Sequence, residues 1–107
     1  MTTRREKVEQ MLLAEPNDPF LRYMLANELE KEGRVEESLA IFVSLRSEQP
    51  PHLPSFLRSS QVLVSVDRLT DARSVLRQGI EIARAAGESH PAAEMAELLT
   101  QLGNAGE

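Results

Sequence analysis

Two histidines, His52 and His90, are the only imidazoles in the chain, and neither has a carboxylate pair at ligand spacing beside it. There is no cysteine, so a thiolate nucleophile, a thiolate metal site and a disulfide framework are all excluded. Glu28, Glu30 and Glu32, then Glu36 and Glu37, could supply paired carboxylates for acid–base work. Helical spacing spreads them over different faces, which argues against a catalytic pair. Ser55, Ser59, Ser60 and Ser65 form a cluster without a Ser/His/Asp arrangement around it, and read as small-residue packing and surface. Arg68, Arg73, Arg77 and Arg84 read as solvated charges on the outer face of one helix and its preceding turn. Neither a glycine-rich phosphate loop nor a nucleophile elbow occurs. The residue types predict a protein that is not an enzyme and takes no cofactor or metal.

The elements that carry these residues are helical. Between Asp18 and Pro51, two apolar patterns are broken by Glu32-Gly33-Arg34. Leu21, Met24, Leu25, Ala26, Leu29 and the stem of Lys31 form the first stripe; Val35, Leu39, Phe42, Val43 and Leu45 form the second. A glycine between two such stripes is a helix stop and a tight turn, so the pair is an antiparallel helix hairpin. Asp18 and Pro19 supply an N-cap and a proline at the first helical position. Gln49-Pro50-Pro51 ends the second helix, because the residue before a proline is pushed out of helical geometry.

Elsewhere, Thr3 and Glu6 have the spacing of a capping box for a helix whose face is Val8, Met11 and Leu12 and which stops before Pro16. Pro54 sits near the start of a helix over residues 55–66. Thr70 is the expected cap of the next, over 71–86, with Ala72, Val75, Leu76, Gly79, Ile80 and Ala83 inward. Gly79 predicts close helix contact at that point. Ser89 is the expected cap of a last helix with Pro91 in its first turn and the stripe Ala92, Met95, Leu98, Leu99 and Leu102. Residues 103–107 are expected to fray. The total is six helices.

Length and charge bound the rest. A 107-residue chain fits one domain and buries about 60–70% of its extended surface. Few aromatics and an ordinary apolar fraction fit a core of Leu, Ala and Val. The net charge is −5, and residues 87–107 hold four acidic side chains and no basic one. An acidic chain without a dense Lys/Arg stripe argues against nucleic acid. No apolar run approaches the roughly 18 residues of a membrane span. The first helix lacks a secretory core, and Glu6 and Glu9 argue against a transit peptide, so the expected location is cytoplasmic.

The hairpin recurs. A shift of 34 residues puts Gly33 on Asp67, Ser38 on Ala72, Phe42 on Leu76, Leu29 on Leu63 and Ala26 on Ser60. The opposite shift puts Pro50 on Pro16, Phe42 on Val8 and Leu45 on Met11. Apolar falls on apolar, small on small and proline on proline, the signature of a solenoid of supersecondary units. The period, with Leu25, Ala26, Leu29, Gly33, Ser38, Phe42 and Pro50, resembles the tetratricopeptide repeat. A second unit keeps Phe56, Ser60, Leu63, Ala72 and Leu76, and departs at Ser59, Asp67, Gly79 and Arg84; Arg22 stands where the family often has Trp. The resemblance implies an all-α, right-handed α-α superhelix of about six antiparallel helices. Its expected parts are a capping helix over 3–15, repeat units over 18–51 and 53–86, and a C-terminal capping helix over 89–103, in a single domain over 1–107.

In that family the first helices of successive units line a concave groove. By resemblance the groove positions are Phe20, Tyr23, Asn27, Glu30 and Lys31 in the first unit, and Leu57, Gln61, Val64 and Ser65 in the second. Independently of the family, Tyr23, Leu57 and Val64 lie off the inward stripes of their helices, and apolar groups outside a core mark interaction patches. Asn27 and Gln61 carry amides suited to an extended peptide backbone. The competing reading makes Phe20 and Tyr23 packing residues for a neighbouring helix. Of the family's clamp for a terminal carboxylate only Asn27 matches, since Tyr23 replaces its Lys and Arg58 an Asn, so chaperone-tail binding is not expected. The expected function is a non-catalytic adaptor for a protein or peptide, with no nucleic-acid or membrane partner. The alternative is self-association, as a homodimer through the groove or the ends of the array.

Overall fold

In a computed structural model of the protein, residues 2–103 are described and form six α-helices, with no strand among them. The chain divides into two compact units, residues 1–52 and 53–107. The first contains α1 (Arg4–Ala14), α2 (Pro19–Lys31) and α3 (Val35–Arg46); the second contains α4 (Pro54–Ser65), α5 (Leu69–Ala85) and α6 (Ser89–Leu102). The expectation of a frayed end falls largely on residues 104–107, which lie outside the described residues.

In the first unit α2 packs along both α1 and α3. The capping box forms: Thr3 Oγ1 accepts from the Glu6 amide at 3.1 Å, and Glu6 Oε1 accepts from the Thr3 amide at 3.0 Å. Asp18 Oδ1 accepts from the Leu21 amide at 3.1 Å, and Pro19 occupies the first helical position. Gly33 takes φ +80°, and the Arg34 amide donates back to the Leu29 carbonyl at 2.9 Å, which closes α2 and starts α3. The core is Val8, Leu21, Ala26, Leu29, Phe42 and Leu45. Ser38 lies fully buried against α2, its hydroxyl donating to the Ala26 carbonyl at 2.7 Å. Leu12, Met24, Leu25, Val35 and Leu39 of the expected stripes are half-buried, and two apolar residues of those stripes are exposed, Val43 and, at 46%, Met11. Val43 follows Phe42 by 100° around the helix, which carries it past the edge of the contact. Lys31 is also exposed and pairs with Glu28 at 3.0 Å instead of lending its stem to the stripe.

In the second unit α5 packs along both α4 and α6. Its core is Phe56, Val62, Leu63, Ala72, Val75, Leu76, Ile80, Ala83, Ala92 and Met95. A Cβ on Gly79 would lie 2.5 Å from Met95 Sδ and 2.7 Å from Phe56 Cβ, so this glycine is the point where three helices close together. Ser55, Ser59 and Ser60 are buried, and Ser59 and Ser60 donate to the carbonyls of Ser55 and Phe56 at 2.5 and 2.7 Å, which removes the penalty of burying a hydroxyl.

Three expectations fail here. Arg73 is not a solvated outer-face charge: it is 0% exposed, and its Nη2 donates to Thr70 Oγ1 at 3.3 Å. The buried face of α5 takes in Ala72, Arg73, Val75, Leu76, Gly79 and Ile80, wider than the stripe read from apolar residues alone, and the methylenes of Arg73 complete it. Thr70 does not cap α5, which begins one residue earlier with Arg68 at the cap and no side-chain cap bond. Ser89 does not cap α6, since it is already inside the helix behind Glu88. The cause is common to both. Asp67 (φ +62°) and Gly87 (φ +75°) repeat the turn at Gly33, with Arg68 donating to Leu63 at 2.9 Å and Glu88 to Ala83 at 2.8 Å. A turn closed by the backbone fixes where the next helix starts, and the side-chain cap is superfluous.

Candidate interaction faces

Phe20, Tyr23, Asn27 and Glu30 recur at three- and four-residue steps along α2, and so share one face of it. Lys31 flanks that face. Leu57, Gln61 and Val64 share one face of α4 in the same way, with Ser65 beside them. The two helices hold these sets for one reason: each spends its opposite side on its own unit's core, through Leu21, Ala26 and Leu29 in α2 and Phe56, Ser60 and Leu63 in α4.

The side chains differ in how they are held. Phe20 is 65% exposed, an aromatic ring left largely in water. Tyr23 is half-buried, edge-on to Phe42 with ring centroids 5.9 Å apart, and 5.1 Å from the ring of His52. Tyr23 thus packs within its own unit while Phe20 does not. Asn27, Glu30, Leu57 and Val64 are half-buried, and Lys31, Gln61 and Ser65 are exposed. The Ser65 hydroxyl donates to the Val62 carbonyl at 2.6 Å, which turns it back onto its own helix.

Beside Tyr23 lies a polar web that residue spacing did not reveal. Arg22 pairs with Glu48 and its Nη2 donates to Ser44 Oγ at 2.5 Å, tying α2 to the end of α3. The His52 amide donates to the Leu45 carbonyl at 3.0 Å, which folds the following segment back over the unit. Burial, and next the Arg22 charge, pull the His52 imidazole below its ordinary value. Asn17, Pro19, Glu48, Gln49, Pro50, Pro51 and His52 enclose a cleft of about 470 Å³, and the Gln49–Pro50 bond is cis. Arg22 in place of the usual Trp was the available signal, since a charged residue on a half-buried face calls for a carboxylate nearby. In the second unit, α5 and α6 border a second cleft of about 510 Å³ with Ile80, Ala96 and Leu99 on its walls and Arg77, Glu81, Arg84 and Thr100 at its rim.

Among the described residues no three His, Cys, Asp or Glu side chains gather where a metal could be held. Among the described residues no helix is long and apolar enough to cross a membrane. What the faces offer is apolar area next to amides and a few charges, the chemistry of recognition.

No family model matches the chain, and no curated protein does. Solved structures do. The solution structure of a tetratricopeptide repeat domain protein from Salinibacter ruber is 30% identical and superposes with a TM-score of 0.78, over 84% of this chain and 91% of that one. A crystal structure of a tetratricopeptide repeat domain protein from the same organism, also 30% identical, gives a TM-score of 0.71 over 80% of this chain and 96% of that one. Six helices without a strand among the described residues, a 34-residue register and this identity agree: the chain belongs to the tetratricopeptide repeat family.

Proposed function

We propose that the chain is a non-catalytic adaptor that binds a protein partner through an extended peptide segment, using the faces of α2 and α4. The observation that carries this reading is Phe20, an aromatic ring 65% exposed on a helix whose other side is fully used in packing. Rings of this kind are the anchors of protein interfaces, where removing one commonly costs about 2 kcal/mol or more of binding. Tyr23 and Leu57 add half-buried apolar area, and the amides of Asn27 and Gln61 can both donate to and accept from a peptide backbone. Membership of a family whose fold generally mediates protein interactions supports the same reading.

The test is a screen of immobilised peptides followed by titration of the binders into isotope-labelled chain. Shift changes are expected on Phe20, Tyr23, Asn27, Gln61 and Val64. Phe20→Ala should weaken binding by roughly tenfold or more with helix content unchanged. Shift changes confined to α1, α3, α5 or α6, or a Phe20→Ala variant that binds as well as the parent, would count against it.

A further inference from the structure

The 34-residue register makes α1, α3 and α5 equivalent to one another, and likewise α2, α4 and α6. Helices of the two classes are pressed together in α2 with α3 and in α4 with α5. In the first pair Ser38 is buried against Ala26; at the equivalent positions of the second, Ala72 and Ser60 are buried too. Leu29 and Leu63, one turn along, are buried, as are Leu45 and Gly79 on the facing helices.

The same positions in α1 and α6 are uncovered and changed in kind. Arg4 stands in α1 where Ser38 and Ala72 stand, and Met11 where Leu45 and Gly79 stand. Glu94 stands in α6 where Ala26 and Ser60 stand, and Glu97 where Leu29 and Leu63 stand. Arg4, Glu94 and Glu97 are exposed, and Met11 is 46% exposed. Lys7 adds a second exposed cation to α1, and neither it nor Arg4 has an ion-pair partner among the described residues. α6 carries no basic residue but His90, whose Nε2 lies 3.2 Å from Glu94 Oε1.

We propose that copies of this chain associate head to tail, the exposed face of α1 on one copy packing along the exposed face of α6 on the next. The charges are opposite at the positions that meet. Superposing an α1–α6 pair on α2–α3 sets Arg4 against Glu94, as Ser38 is set against Ala26. Met11, which stands where Gly79 closes on Phe56, adds apolar area next to the charges. The junction sets α6 beside α1 in the order in which α2 meets α3 and α4 meets α5, with an ion pair where those two pairs have buried small residues. It uses a different side of the repeat from the faces of α2 and α4, so it stands independently of peptide binding. Because the two surfaces differ, the contact is heterologous and leaves each copy able to take another at either end.

The test uses the purified chain and two charge reversals, R4E and E94R, both at exposed positions. Light scattering across a concentration series should show mass rising with concentration at low salt and falling back at high salt, as for a contact steered by opposite charges. Each variant alone should lose association by roughly tenfold or more. An equimolar mixture of the two should regain it, because each supplies the charge the other lacks. Circular dichroism must show both variants as helical as the parent. A parent chain that stays monomeric throughout at low salt overturns the proposal. So does association that neither reversal weakens, or a mixture that behaves as the sum of its two silent parts.

Discussion

Tyr23 is the only tyrosine and the chain has no tryptophan, so its fluorescence reports one place: the contact with His52 at 5.1 Å. Burial and the Arg22 charge lower the His52 pKa from its ordinary 6.5, so the folded protein holds that proton less readily than the unfolded chain. The sign follows. The stabilisation is whole above 6.5 and is lost as pH falls from there through the lower native value. Tyrosine emission should change over that window with a matching drop in the urea midpoint. His52→Gln should remove the inflection, and His90→Gln, changing an exposed residue in the other unit, should leave it. An emission change that survives in His52→Gln would show that another group drives it. Residue chemistry was the least legible level of the sequence. His52 as an interhelix residue could be read, but its ring contact and its Arg22 neighbour depend on how the segment after α3 folds back. An apolar periodicity does not register Arg73, a charged residue buried along its whole length on the inner face of α5.

Three of the interhelix turns place one residue in the left-handed region, and two of these use glycine, at Gly33 and Gly87. Asp67, at φ +62°, does the same work with a side chain, in a conformation that disfavours L-residues by roughly 1–2 kcal/mol. Asp67→Gly should therefore stabilise the protein, by about 0.5–1 kcal/mol once the greater freedom of glycine in the unfolded chain is subtracted. Gly33→Ala should destabilise it by about as much. Urea unfolding of both variants checks this pair, and an Asp67→Gly variant no more stable than the parent would mean the aspartate makes a compensating interaction. Helix number, order and hairpin pairing were legible from stripes and glycines, and Gly79 from its cost to α5. The starts of α5 and α6 were not, since a side-chain cap motif at Thr70 or Ser89 is visible in the sequence while a turn closed by backbone amides is not.

At the scale of the whole chain, the register carried the fold: Ser38 on Ala72 and Phe42 on Leu76 are paired in sequence and equally buried in structure. The same register places Arg4 and Glu94 at facing positions between copies. The absence of cysteine makes a covalent check direct. The double variant R4C/E94C should form, under mild oxidation, a ladder of dimer, trimer and higher species on a non-reducing gel, whereas each single variant should stop at an unspecific trace of dimer. A double variant that gives dimer alone would indicate a self-complementary contact in place of a head-to-tail one.

The slot filled by Leu45 in one unit is left open by Gly79 in the other, and the difference is made up from the facing helix, where Phe56 stands at the position of Arg22. The two hairpins therefore fill the equivalent position from opposite helices. Their helices are not interchangeable parts: a chimaera with the α2 sequence in place of α4 would set a guanidinium beside the bare backbone of Gly79 and leave Met95 facing a hollow. What duplicates in this chain is a shape, and each copy of that shape has become the sole lock for its own key.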